Sequence, residues 1–159
     1  MGSDQRRAAV RALGALARSD DWRDRADAGH GLAAFAEMPE AVGPLLELVA
    51  GDTLITRHTV QSLLRRMDRA GLSVVASATA VADAQHSDWI HTAVLDVFGI
   101  YATERDEALS VCEGLTRDAD ARIAEGARRL LADLAAIDPV LHPVRQGETS
   151  GQGSVRRIM

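Results

Sequence analysis

The feature that most constrains the fold is an apolar pattern that recurs about every 33 residues. Four origins, Asp24, Thr56, Ile90 and Ile123, are separated by 32, 34 and 33 residues. The positions 4, 8 and 11 residues after each origin are all apolar and lie on one stripe of a 3.6-residue helix. They are Ala28, Leu32, Phe35, Val60, Leu64, Met67, Val94, Phe98, Tyr101, Ala127, Leu131 and Leu134. The pattern predicts four equivalent amphipathic helices.

A second pattern predicts another helix within each repeat. The positions 18, 21, 22 and 25 residues after the first three origins are apolar or small: Val42, Leu45, Leu46, Val49, Val74, Ser77, Ala78, Val81, Ala108, Val111, Cys112 and Leu115. One period upstream, the same offsets fall on Val10, Leu13, Gly14 and Ala17. The first helix of the chain is therefore expected to be the second half of a truncated repeat.

Residues that favour helix ends agree with this spacing. The stretches SDDW (19–22) and HSDW (86–89) are predicted to mark helix starts two repeats apart. Pro39 suits the first turn of a second helix, and Gly51 and Gly71 suit the breaks between helices. The candidate N-caps of the first helices are Asp20 or Asp21, Asp52 or Thr53, Ser87 or Asp88, and Asp118 or Asp120.

Helix pairs that repeat at this period predict an all-α fold, an α-solenoid of about four repeats with truncated terminal repeats. The solenoid is expected to form a single domain over residues 1–144, because the pattern ends after Ile137 in a stretch with two prolines. Residues 145–159, rich in Gly, Ser and Gln, are predicted to be a disordered polar tail.

Three of the first helices have sequences that resemble HEAT-like repeats of the short bacterial type: DWRDRADAGHGLAAF, TLITRHTVQSLLRRM and ARIAEGARRLLADL. In that family an aliphatic–Arg pair is followed by Ala and then Leu. Arg25 and Arg57 occupy the Arg position, whereas His91 and Ala124 depart from it. The resemblance covers roughly residues 5–144 and implies a right-handed, armadillo-like solenoid whose second helices line the concave side.

Composition narrows the class of function. The net charge of -5 argues against general nucleic-acid binding. The single cysteine, Cys112, excludes an internal disulfide and fits a reducing compartment. No run approaches the roughly 18 apolar residues that a membrane span needs, and the N-terminus lacks an apolar signal core. A cytoplasmic protein without membrane contact is expected.

No constellation of residues points to catalysis. The five histidines form no His-x-x-x-His or His–Glu pair on one helical face, and Cys112 falls on an inward stripe where a buried thiol is inert. Paired Asp residues at helix starts are explained by capping, and Trp22 and Trp89 are expected to pack one repeat against the next. The chain is therefore interpreted as a non-enzyme with no metal or cofactor.

The expected working surface is the concave face of the second helices. Acidic residues occupy both flanks of this face, and small or apolar residues occupy its middle. Such a groove favours a protein or peptide partner, as a basic amphipathic helix or an extended peptide, although an ordinary solvated face explains the carboxylates equally well. The candidate partner-binding residues are Glu40, Glu47, Leu72, Thr79, Asp83, Asp106, Ser110 and Glu113.

An alternative function rests on two arginine clusters: Arg65, Arg66 and Arg69 in one repeat, and Arg128 and Arg129, with Arg122, in another. HEAT-like alkylpurine DNA glycosylases bind DNA across a basic concave face with aromatic residues at the lesion. Here the predicted concave face is acidic and aromatic residues are scarce. A nucleic-acid-associated protein is accordingly the second hypothesis, and a scaffold or adaptor for a protein partner is the first.

Overall fold

The computed structural model describes residues 2–144, and this part of the chain is all-α. The only β pairing within it is an isolated parallel bridge between Tyr101 and Leu141. The eight helices are α1 (Ser3–Leu16), α2 (Trp22–Ala33), α3 (Pro39–Val49), α4 (Thr53–Leu64), α5 (Arg69–Val81), α6 (Ala84–Phe98), α7 (Ala102–Leu115) and α8 (Ala121–Ala136). The predicted tail, residues 145–159, lies outside the described residues.

Aspartate side chains cap most of the first helices, as predicted for three of them. Asp21, Asp52 and Asp120 each accept hydrogen bonds from backbone N–H groups in the first turns of α2, α4 and α8. Such caps satisfy amide groups that have no partner within the helix.

The predicted start of α6 is wrong. The helix begins at Ala84, two residues before HSDW, and Asp83 rather than Ser87 or Asp88 accepts from the backbone N–H of His86. SDDW and HSDW are therefore not equivalent: Trp22 is the first residue of α2, but Trp89 lies within α6. A single Asp–Trp pair cannot distinguish a helix start from a helix interior.

The predicted break at Gly71 is also wrong. Gly71 lies inside α5, which is capped by the Asp68 side chain. The chain turns instead at Met67, whose φ of 58° places it in the left-handed region that ends helices. Pro39, by contrast, is the first residue of α3, as predicted.

The apolar stripes form the core with two exceptions. Most of the predicted positions are buried or half-buried, including Val60, Val94 and Ala127, which are fully buried. Tyr101 is 49% exposed because it lies at the N-cap of α7, and Val81 is 59% exposed at the end of α5. Burial on this scale is the main source of stability for helices that cannot cover their apolar faces alone.

The helices pack in two rows up to α6 and then depart from this order. Helices α2, α4 and α6 lie side by side, and α3 contacts both α1 and α5. A strict continuation would place α8 beside α6, but α8 packs most extensively on α5 and secondly on α7. The backbone of Gly126 lies against the carbonyl of Ala76, and Arg129 Nη1 donates to the Thr79 carbonyl at 3.2 Å. Helix α8 therefore covers part of the α5 surface.

Candidate binding groove

A groove runs along α5 between α3 and the first turns of α8. It consists of two adjoining cavities of about 400 and 590 Å³, which share Leu46 on α3 and Arg122 on α8. The α3 wall carries Val42, Leu46 and Ala50, four residues apart and on one face of the helix. The residues that line the floor are Ala70, Ser73, Val74, Ser77, Ala78 and Val81.

The groove stays open because its floor is built from small side chains. Ser73 and Ser77 project too little to fill the space between α3 and α8. Val42 and Leu46, which the periodicity predicts to face inward, are only half-buried because they face this groove. Val81 adds an exposed apolar side chain at one end. The result is a largely apolar channel that water occupies at a free-energy cost.

Most of the charged groups around the groove already have partners. Glu37 forms ion pairs with Arg6 and Arg66, and Asp120 caps α8. Arg69 pairs with Asp118 at 3.1 Å. These contacts leave two charged residues along the groove whose side chains have neither a salt bridge nor a hydrogen bond among residues 2–144: Glu47 on α3 and Arg122 on α8.

His86 closes one end of the groove. Its Nε2 lies 2.7 Å from the carbonyl oxygen of Gly51, and its Nδ1 lies 2.8 Å from Asp83 Oδ1. Because both neighbours are acceptors, the protonated ring satisfies both at once. The Gly51 carbonyl, followed by Asp83, raises the pKa of His86 above its ordinary value. The contact ties the start of α6 to the turn between α3 and α4.

The structure separates the predicted partner-binding residues into groups. Glu47 and Asp83 line the groove. Glu40 is exposed outside it, with Arg7 Nε 3.9 Å away. Leu72 and Thr79 are 1% and 4% exposed, so the prediction that they face a partner is wrong. They share a face of α5 with Ala76, which α8 covers.

The three predicted residues on α7, Asp106, Ser110 and Glu113, are exposed but do not line the groove. Helix α8 packs against both α5 and α7 and so separates α7 from the groove. The sequence did not indicate His86, and it placed Arg122 in an arginine cluster rather than at this groove. No pattern along the chain brings the starts of α6 and α8 to the same surface as α3.

The predicted arginine surface is interrupted by ion pairs. The side chain of Arg66 is only 19% exposed, because it pairs with Glu37 and Asp68 and donates to the Ala33 carbonyl, so little of it is available to a nucleic-acid phosphate. Arg128 and Arg129 lie 3.2 and 3.5 Å from the carboxylate oxygens of Glu125. Arg65, at the C-cap of α4, is exposed.

The groups considered for chemistry have structural surroundings. Cys112 is buried, and burial raises the pKa of its thiol to about 12. Over residues 2–144, no cluster of three or more His, Cys, Asp or Glu side chains has the arrangement of a metal site. Each helix in that range is too short or too polar to cross a bilayer. Comparison with protein-family models, with curated proteins and with solved structures finds no match to this chain.

Proposed function

We propose that this chain is a cytoplasmic, non-catalytic interaction module that holds a segment of a protein partner in the groove along α5. In this proposal the helices form a right-handed HEAT-like solenoid of about four repeats, whose last helix turns back onto the concave side. The observation that carries the proposal is the open apolar groove between α3 and α8.

The groove has the properties of a peptide-recognition surface. Its cavities fall within the roughly 300–1,000 Å³ that is typical of binding sites. Apolar side chains such as Leu46 and Val81 supply area to bury, and charged groups at the rim supply orientation. Grooves of this kind between helices bind short segments of partner proteins.

A protein partner is favoured over nucleic acid. Phosphate binding depends on several cationic side chains that are free to displace counterions. Arg66, Arg69, Arg128 and Arg129 each have a carboxylate partner, which reduces their availability for phosphates.

The test is affinity purification of the tagged full-length chain from its own cells, followed by quantitative mass spectrometry. A partner bound in the groove is expected to be lost with Val81→Glu and weakened with Glu47→Lys. Glu113→Lys is the matched control, because it makes the same charge change on an exposed site of α7 outside the groove. All three sites are exposed, so each change is expected to alter stability by no more than about 0.5 kcal/mol.

The proposal fails if the groove variants retain every partner and the double variant Arg65→Glu/Arg129→Glu loses one. That result would assign function to the arginine-bearing surface. A mobility-shift assay with duplex DNA at low salt would then decide between a protein and a nucleic-acid partner.

A further inference from the structure

We infer that the occupant of the groove is an amphipathic α-helix that carries a basic residue on the flank facing α3 and an acidic residue on the flank facing α8. This inference rests on the proposed function. It names the secondary structure and the charge pattern of the partner segment.

The walls of the groove favour a helix over an extended peptide. An extended peptide gains affinity by hydrogen bonding its backbone to a free strand edge or loop. Here α3, α5 and α8 form the walls and floor, and the backbone groups in their interiors are bonded within each helix. A carbonyl near the end of α5, that of Thr79, accepts from Arg129, and that of Gly51 accepts from His86. A helix needs no such partners because it satisfies its own backbone.

The apolar positions of the groove suit one stripe of such a helix. Leu46 borders both cavities, with Val42 and Val74 in one and Val81 in the other. Apolar side chains at positions i, i+3 or i+4, and i+7 of a bound helix would reach successive parts of this line.

The charge pattern follows from the two residues that lack partners. Glu47 and Arg122 both line the cavity of about 400 Å³, but Glu47 lies on α3 and Arg122 on α8. The groove therefore presents one unpaired negative group and one unpaired positive group on its two walls, rather than the two acidic flanks that the sequence predicts. A helix bound between them is complementary when its two flanks carry opposite charges.

The experiment is a display selection against the full-length chain. The probe is a library of 18-residue helix-forming peptides with a fixed apolar stripe and randomised flanking positions, and the Val81→Glu variant removes peptides that bind elsewhere. Peptides that require the groove are expected to carry Lys or Arg on one flank and Asp or Glu on the other. Glu47→Lys and Arg122→Glu are each expected to weaken such a peptide about twofold to fivefold, the range of an exposed ion pair.

Charge exchange provides the stricter test. The double variant Glu47→Lys/Arg122→Glu is expected to recover affinity for a peptide whose two flanking charges have been exchanged. Glu113→Lys/Arg128→Glu, which changes the same residue types outside the groove, is expected to leave both peptides unaffected.

The outcomes separate this inference from the proposed function. If no helix-forming peptide that depends on Val81 enriches, the inferred helix is wrong, and the purification experiment then decides whether the groove binds a segment of any kind. If such peptides enrich without flanking charges of opposite sign, only the inferred charge pattern is wrong. A dimer that disappears with Val81→Glu in sedimentation would also overturn the inference, because a second copy would then fill the groove.

Discussion

Two helix contacts in this molecule bring backbones close together at a glycine, and they differ in what limits the approach. Between α2 and α4, Gly29 lies against the side chain of Thr59. Between α5 and α8, Gly126 lies against the backbone carbonyl of Ala76. A side chain can rotate to relieve a collision, whereas a carbonyl inside a helix moves only when the helix moves.

The difference shows which contact determines the shape of the groove. The position of α8 is determined by a contact between its backbone and the backbone of α5. Helix α8 in turn forms one wall of the groove and covers Leu72 and Thr79. The α2–α4 contact only joins neighbours in a row of helices. A change at Gly126 should therefore affect both stability and binding, whereas a change at Gly29 should affect stability alone.

The largest effect is expected for Gly126→Ala. A Cβ there would overlap the Ala76 carbonyl oxygen and carbon, so α8 must shift away from α5. We expect a loss of about 3 kcal/mol or more in the free energy of unfolding, measured by urea denaturation. Gly14→Ala in α1 is the control, since its Cβ would meet Pro44 Cγ at 3.8 Å, an ordinary van der Waals contact, and helix propensity should stabilise it by up to about 1 kcal/mol. Equal unfolding midpoints for the two variants would show that α8 does not approach α5 so closely.

A smaller effect is expected for Gly29→Ala. The new Cβ meets the Thr59 side chain, which can turn part of the way aside, and the helix propensity of Ala offsets some of the cost. We expect a net loss of about 1 kcal/mol in the same denaturation experiment. If Gly29→Ala destabilises as much as Gly126→Ala, the contrast between side-chain and backbone contacts is wrong.

The sequence predicted the helices better than the contact that shapes the groove. Val60, Val94 and Ala127 are buried as the repeat requires, because periodicity reports which face of each helix turns inward. Periodicity does not report which helix covers a face of small residues, so Leu72 and Thr79 were placed on an open surface. The α8–α5 contact depends on Ala76 and Gly126, which lie 50 residues apart in the chain and carry no pattern that links them. Glu47 and Asp83 were identified because exposed carboxylates stand out on a helix face, whereas Arg122 lies at the groove only because α8 turns back.

Thr59→Val tests the α2–α4 contact from its other side. Among residues 2–144, Thr59 Oγ1 is the only buried side-chain polar atom without a hydrogen-bond partner. Replacement of this hydroxyl by a methyl removes an unsatisfied group at nearly constant volume, and we expect a gain of up to about 1 kcal/mol by urea denaturation. Thr56→Val is the matched control on the same helix, because Thr56 Oγ1 donates to the Val49 carbonyl at 2.6 Å and its loss should cost about 1 kcal/mol. Destabilisation by both variants would indicate that Thr59 has a partner after all.

The smallest effect is expected at His86, where the groove wall depends on pH. The Gly51 carbonyl and Asp83 raise the pKa of His86 in the folded chain, so folding is linked to protonation. The resulting stabilisation is fully present below the ordinary histidine pKa of about 6.5 and is lost as the pH rises through the raised folded value. We expect the loss of the His86 proton to lower the unfolding free energy of the parent chain by less than about 1 kcal/mol between pH 6 and pH 8. His86→Asn should remove this part of the pH dependence of the unfolding free energy. An unchanged slope in His86→Asn would mean that the ring does not bind a proton more tightly in the folded chain.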